Sequence, residues 1–289
     1  MPRICLAGKK AACGEVPLER VAYFQNTGEP EMRSLRRLLP LLWWFTFLGA
    51  AAEPRPVVVI VSANAEWRAV KRFYPSAHYQ TSRYGEYFFL DKKALIFHGG
   101  WGKISAAASA PYVVDRWNPN VIVNVGTCGG IAGRINRFAT VLATRTVVYD
   151  IVEQMGDAAE AIQFYATDID LAWLGDRLPM NVVKKPLYSA DRDLVAQELP
   201  LLIQKYDAVA GDWESGAIAW VAQRNGKKVL ILRGVSDLVA LSGGEAYGKL
   251  EVFEQGTAKV MKRLLESLPR WLELVQQKGF SGASGIRPN

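Results

Sequence analysis

Asp212–Asp237 reads D-W-E-S-G-A-I-A-W-V-A-Q-R-N-G-K-K-V-L-I-L-R-G-V-S-D. Its pattern is a loop, a helix, a glycine turn at Gly226, a buried apolar strand over 229–232 and a second polar loop. Glu214 falls at the helix entrance, and Arg233, Ser236 and Asp237 fall where the strand is expected to run out. In an open α/β sheet, ligands gather at the carboxyl ends of strands, so this one unit brings two carboxylates and a guanidinium to one edge. An α/β domain with its reaction centre on that edge is the expectation.

The flanking sequence extends the same alternation. Val57–Val61 is a continuous β-branched run, as expected of a strand covered on both faces, and it opens through S-A-N-A-E-W-R into a helix. Tyr87–Leu90 and Ala94–Phe97 predict two strands of a hairpin turning at 91–93. H-G-G-W-G-K-I-S-A-A-A-S-A follows, glycines opening an alanine-rich helix. Backbone N–H groups at such an entrance can approach an anion or a sugar. Gly100-Trp101-Gly102-Lys103 has the spacing of neither a Walker loop nor a dinucleotide loop, so a purely structural turn stands as the alternative. Asn120–Val125 predicts a strand ending in a glycine turn, G-T-C-G-G-I, and Ala139–Val148 another strand. Residues 153–170 lack periodicity and read as a long loop carrying Phe164 and Tyr165. Val182–Tyr188 predicts a strand, with Ser189 or Asp191 capping a helix that runs to Tyr206, and Ala208–Ala210 a short strand. From Leu250 a long helix with a packing face extends to Gln277, with a kink expected at Pro269. The Gly/Ser-rich tail at 281–289 is expected to be disordered.

The 289 residues carry a formal charge of +7, with half of them apolar and 22% charged. Of that charge, +3 lies in residues 1–52 and +4 in the remainder, where no basic run is interleaved with aromatics. A nucleic-acid partner is therefore not expected. The three cysteines (Cys5, Cys13, Cys128) and two histidines (His78, His98) provide neither a disulfide framework nor a metal motif. Met32 begins M-R-S-L-R-R, an apolar stretch of about a dozen residues and A-A-A, the three parts of a secretory signal peptide. That run is shorter than the roughly 20 residues of a spanning helix. The expectation is export, with 1–31 an upstream extension, 32–52 a signal peptide cleaved after Ala52 and no stable membrane span thereafter. Should Met32 not start such a peptide, the expected location is the cytoplasm.

V-I-V-N-V-G-T-C-G-G-I, D-W-E-S-G-A-I-A-W-V-A and R-G-V-S-D, in this order and spacing, resemble the purine nucleoside phosphorylase and uridine phosphorylase superfamily. Within it they are most similar to methylthioadenosine/S-adenosylhomocysteine nucleosidases. The resemblance implies one catalytic domain over 53–280, built as a three-layer α/β/α sandwich on a mixed central sheet. It further implies hydrolysis of the N-glycosidic bond of purine nucleosides, 5′-substituted adenosines in particular, with no metal or cofactor and commonly as a homodimer.

Carried over residue by residue, the resemblance makes Glu214 the carboxylate for the ribose 2′- and 3′-hydroxyls. Near a helix N-terminus it is expected to stay ionised and to stabilise an oxocarbenium-like sugar. Asp237 becomes the acid that meets purine N7, with Ser236 before it. Arg233 and Gly99 line the nucleophile's site, and Phe164 and Tyr165 pack on the base. Trp213 stands where the family has methionine beside the ribose, which narrows that wall and puts the usual 5′-substituent in question. Glu66 supplies the water-activating carboxylate in one register, while another puts Trp67 there. Arg68 keeps a phosphate nucleophile open, although the phosphorylases' G-D-P-x-R turn is absent. A phosphorylase of the same fold, or a nucleoside-binding protein without turnover, are the competing readings. Cys128 reads as a small packed residue.

Overall fold

The computed structural model describes residues 55–279; the expected extension, signal peptide and tail at 1–31, 32–52 and 281–289 lie outside them. Eleven strands and six α-helices follow one another along these residues. β1 (Val57–Val61) lies at the centre, parallel to β4 (Ala94–His98) on one side and to β5 (Val121–Ile131) on the other. β3 (Glu86–Asp91) pairs antiparallel with β4 as the expected hairpin, and β2 (Gln80–Thr81) borders it. The sheet is therefore mixed.

Alternation along β1 sets the layers, because successive side chains of a strand point to opposite faces. Val57, Val59 and Val61 join the core formed with α1 (Asn64–Phe73) and α6 (Leu250–Lys278) through Val70, Leu264, Leu268 and Trp271. Val58 and Ile60 join the opposite core with α2 (Gly102–Trp117) and α5 (Ser215–Arg224) through Ala106, Ala110, Ile218 and Ala219. Helices thus cover both faces, as expected of a three-layer α/β/α sandwich.

The far half of the sheet closes on itself. β5 pairs with β10 (Lys228–Ala240), β10 with β6 (Thr140–Val148), β6 with β8 (Val183–Ser189), β8 with β9 (Ala210–Asp212), and β9 returns to β5. Two expectations change as a result. G-T-C-G-G-I is no turn, since β5 continues through Ile131 with Gly126–Ile131 paired along β10. Likewise β10 does not run out at Asp237 but continues to Ala240 and meets β11 (Gly243–Gly244). Long-range pairing on both edges holds these glycines extended where local sequence favours a turn.

Smaller differences follow from the same packing. Residues 153–170 are not a single loop but hold α3 (Ala159–Tyr165) and β7 (Thr167–Asp168), which pairs with β6. The helix expected after Ser189 begins only at Leu199 as α4 (Leu199–Tyr206), preceded by a short 3₁₀ turn. The Ser189 hydroxyl instead accepts the Gly216 N–H at 2.8 Å and donates to Asp212 at 2.6 Å, serving the start of α5. Pro269 lies within the helical span of α6. No helix among the described residues is long and apolar enough to cross a membrane.

Candidate active site

Arg233 is the centre of the polar cluster at the carboxyl edge of the sheet. It lies on β10 with no exposed surface, and three carboxylates surround its guanidinium: Asp212 at 2.9 Å, Glu214 at 3.3 Å and Glu66 at 3.5 Å. It also donates to Asn124 Oδ1 (2.9 Å), Ser215 Oγ (3.1 Å) and the Thr127 carbonyl (3.3 Å). A buried charge persists only when paired and hydrogen-bonded, and this planar group is engaged on every side. The backbone must come close for that to happen. A Cβ on Gly126 would sit 2.3 Å from Arg233 Nη1 and 2.6 Å from Glu66 Oε1, so only glycine leaves room for the pair.

Glu66 is the third residue of α1, where a glutamate side chain reaches back to the N-cap N–H. Its Oε2 accepts from Ala63 N at 3.1 Å, while Oε1 accepts from Thr127 N at 2.5 Å and Thr127 Oγ1 at 2.8 Å. The two registers considered for this helix are thereby separated. Glu66 turns to the site, and Trp67, one residue on, stacks on His98 (5.0 Å between rings, 6° between planes) and donates to Glu86 at 2.7 Å. Arg68 lies on the surface 3.3 Å from Glu254, away from the cluster.

Glu214 sits at the N-cap of α5 as expected, and its Oε1 accepts the Gly102 N–H at 3.1 Å. The glycine loop before α2 is thus aimed at the carboxylate rather than being only a turn. Burial works against the ionised form that the helix position of Glu214 favours. Burial raises its pKa and the neighbouring Asp212 and Glu66 raise it further, against Arg233 and the Gly102 N–H. Desolvation beside two like charges outweighs the partial charge of a helix end. Asp212, which the sequence did not single out, accepts from Ser189 and Ser215 as well as Arg233.

Asp237 is set by a bulge. Val235 pairs with Cys128 and Asp237 with Gly129, which leaves Ser236 as the extra residue on β10. Such a bulge re-aims the side chain that follows it. Burial pushes the Asp237 carboxyl above its ordinary range; the Ser236 hydroxyl, 2.6 Å away, and Arg137 oppose the shift. That hydroxyl also lies 3.3 Å from the Cys128 carbonyl and has one proton to give, to Asp237 when ionised or to the carbonyl when Asp237 holds its own. The Cys128 thiol is buried and driven far up in pKa by desolvation, consistent with packing alone.

Two expected positions are not brought to this cluster. Phe164 and Tyr165 lie on α3, 54% and 40% exposed, and pack on Trp220 of α5, where Arg224 also stacks on Phe164. Trp220 lies six residues past Glu214, roughly 9 Å along the helix. Gly99 shares the sheet edge, but its evident part is packing: a Cβ there would sit 2.6 Å from Ile60 Cγ2, and its N–H binds the Val61 carbonyl at 2.8 Å. Trp213, by contrast, flanks the site, 5.2 Å from Trp101 between ring centroids, with its N–H 3.3 Å from Asp193. Thr127, Asn124, Asp212 and Trp101 were missed as site residues. The signals available were the polar letters inside two apolar strand runs and a tryptophan between two glycines.

This fold and site define a class. The family model of the phosphorylase superfamily matches residues 56–270, and the chain belongs to that superfamily. Among curated relatives, the 5′-methylthioadenosine/S-adenosylhomocysteine nucleosidase of Maridesulfovibrio salexigens is 26% identical over 180 residues, covering 58% of this chain and 75% of the relative. The enzyme of the same name from Staphylococcus haemolyticus is 25% identical over 193 residues, covering 61% and 81%. A solved structure of the Helicobacter pylori 5′-methylthioadenosine/S-adenosylhomocysteine nucleosidase aligns at a TM-score of 0.63 with 14% identity, covering 78% of this chain and 99% of that one, a likeness of fold.

Proposed function

We propose that the protein is a nucleosidase that hydrolyses the N-glycosidic bond of purine nucleosides, 5′-substituted adenosines in particular. The nucleoside class is suggested by the relatives, which are named 5′-methylthioadenosine/S-adenosylhomocysteine nucleosidases. The residues fit the chemistry in order. Glu214 accepts the sugar hydroxyls. Asp237, with its pKa raised by burial, gives a proton to the base so that it leaves neutral. The sugar becomes positive as the C–N bond breaks, and the carboxylates around Arg233 offset that charge. Water then forms the new C–O bond and loses its proton to Glu66, whose direction is set by Thr127 and Ala63.

Water rather than phosphate is favoured by one observation. Three carboxylates surround the single guanidinium of the cluster, and its donors are already engaged. Lys103, next to Gly102, is bonded to Asp150, and Arg137 donates to the Ser236 carbonyl. A phosphate dianion brought here would meet uncompensated negative charge. A panel of purine nucleosides scored for free base, with and without phosphate, tests the reading. Base release without phosphate that Glu66→Gln lowers by about 10²–10⁴ is expected. Strict phosphate dependence would replace it with a phosphorylase, and tight binding without release by folded protein with a nucleoside-binding role.

Export and self-association belong to the same proposal. The basic start at Met32, its apolar run and the alanines before Glu53 support export, which N-terminal sequencing of secreted protein tests. Homodimerisation is tested by light scattering.

A further inference from the structure

Two tryptophans flank Glu214 in the site, and the proposed function does not use them. Trp101 is 59% exposed and Trp213 half-buried, yet their rings are in contact at 5.2 Å and 33°, with no gap for another group between them. Each stands next to a partner in the Glu214 bond: Gly102 donates to Glu214, and Trp213 directly precedes it. Gly100 and Gly102, with φ near +82° and +83°, hold Trp101 in a backbone path that other residues rarely adopt. The Trp213 N–H is tied to Asp193.

Strand order supplies the direction. Asp237 lies on β10, and Trp101 follows β4, with β5 and β1 between them. Neighbouring strands are about 4.8 Å apart, so the two positions lie toward opposite ends of the site. A nucleoside with its base at Asp237 and its 2′- and 3′-hydroxyls on Glu214 directs C5′ away from the base, toward the indoles.

We propose that Trp101 and Trp213 form a wall against the 5′ group that selects compact, uncharged substituents, such as methylthio, over long zwitterionic ones, such as homocysteinyl. A thioether methyl gains contact with an indole. An amino-acid tail meets two rings already in contact and must either separate them or run past them into solvent without that contact. This rests on the nucleosidase reading for the pose of the substrate.

The test separates the two ideas. Calorimetric dissociation constants for 5′-methylthioadenosine, adenosine and S-adenosylhomocysteine are measured in the Asp237→Asn background, where base release is expected to be slowed and chromatography checks that the nucleoside is intact, with and without Trp101→Ala. Trp101 is mostly exposed, so the alanine variant is expected to fold, and circular dichroism checks it. The expected result is binding of methylthioadenosine at least tenfold tighter than adenosylhomocysteine, with that ratio reduced at least fivefold by Trp101→Ala. Equal or tighter binding of adenosylhomocysteine, a ratio unchanged by Trp101→Ala, or no binding of any of the three would overturn the proposal. Base release by the unsubstituted protein is scored separately. Its absence, with the binding ratio shifting as expected, would remove the nucleosidase reading and leave the wall in place.

Discussion

Replacing Arg233 by Met removes one charge from the centre of three carboxylates and keeps most of the side-chain volume. Arg233 has no exposed surface, and Asp212, Glu214 and Glu66 lie 2.9–3.5 Å from it. Removing one partner of a buried ion pair costs about 3–5 kcal/mol, because the remaining charge is left uncompensated. Since three acceptors lose one donor here, the upper half of that range is expected at pH 7.5. For a domain of this size each kcal/mol lowers Tm by about 2–4 °C, so the drop is roughly 8–20 °C.

The variant also acquires a pH dependence whose sign can be derived. Burial already raises the Glu214 pKa in the folded protein, and loss of the cation raises it further. Between the unfolded carboxylate range, about 4, and the raised folded value, the folded state binds more protons than the unfolded state. Stability from this source is fully present below the unfolded pKa and is lost as pH rises through the folded pKa. The deficit of Arg233→Met against the unsubstituted protein should therefore shrink between pH 7.5 and pH 5.5. Thermal unfolding followed by circular dichroism at the two pH values is the assay. A drop below about 2 °C at pH 7.5, or a deficit that grows on acidification, would refute the view of Arg233 as sole counter-charge of the cluster.

Other consequences are open to direct measurement. If Asp237 has the proposed role of proton donor, base release should fall as pH rises through its raised pKa, and Ser236→Ala, which removes an opposing hydrogen bond, should move that limb to higher pH; a downward move would contradict the assignment. Asp237→Asn should lose the limb and lower kcat by about 10²–10⁴, read from stopped adenine assays. Gly126→Ala should cost about 1–3 kcal/mol in urea unfolding, since its methyl would press on Arg233 and Glu66 at 2.3 and 2.6 Å. Phe164→Ala should leave kcat/KM within about twofold, roughly 0.4 kcal/mol, because Phe164 packs on Trp220 outside the cluster; a tenfold loss would return it to the base site.

The alternation of apolar runs and glycines in this sequence sufficed for the layered α/β architecture, because burying a strand on both faces leaves a continuous hydrophobic run whatever its neighbours are. The three ordered motifs likewise named Glu214, Arg233 and Asp237 through their family resemblance, although only Glu214 lies at the end of an element, the N-cap of α5, while the other two lie inside β10. What tertiary structure alone decided were matters of direction and of long-range pairing. Glu66 and Trp67 are adjacent, and which of them faces the site depends on how α1 leaves β1; Thr127, 61 residues away, selects the carboxylate. G-T-C-G-G-I is strand because β9 and β10 pair with it from distant parts of the chain. Phe164 and Tyr165 fold away because α3 finds Trp220, and Trp101 meets Trp213 across 111 intervening residues. Each of these outcomes depends on a contact between segments that no local pattern relates.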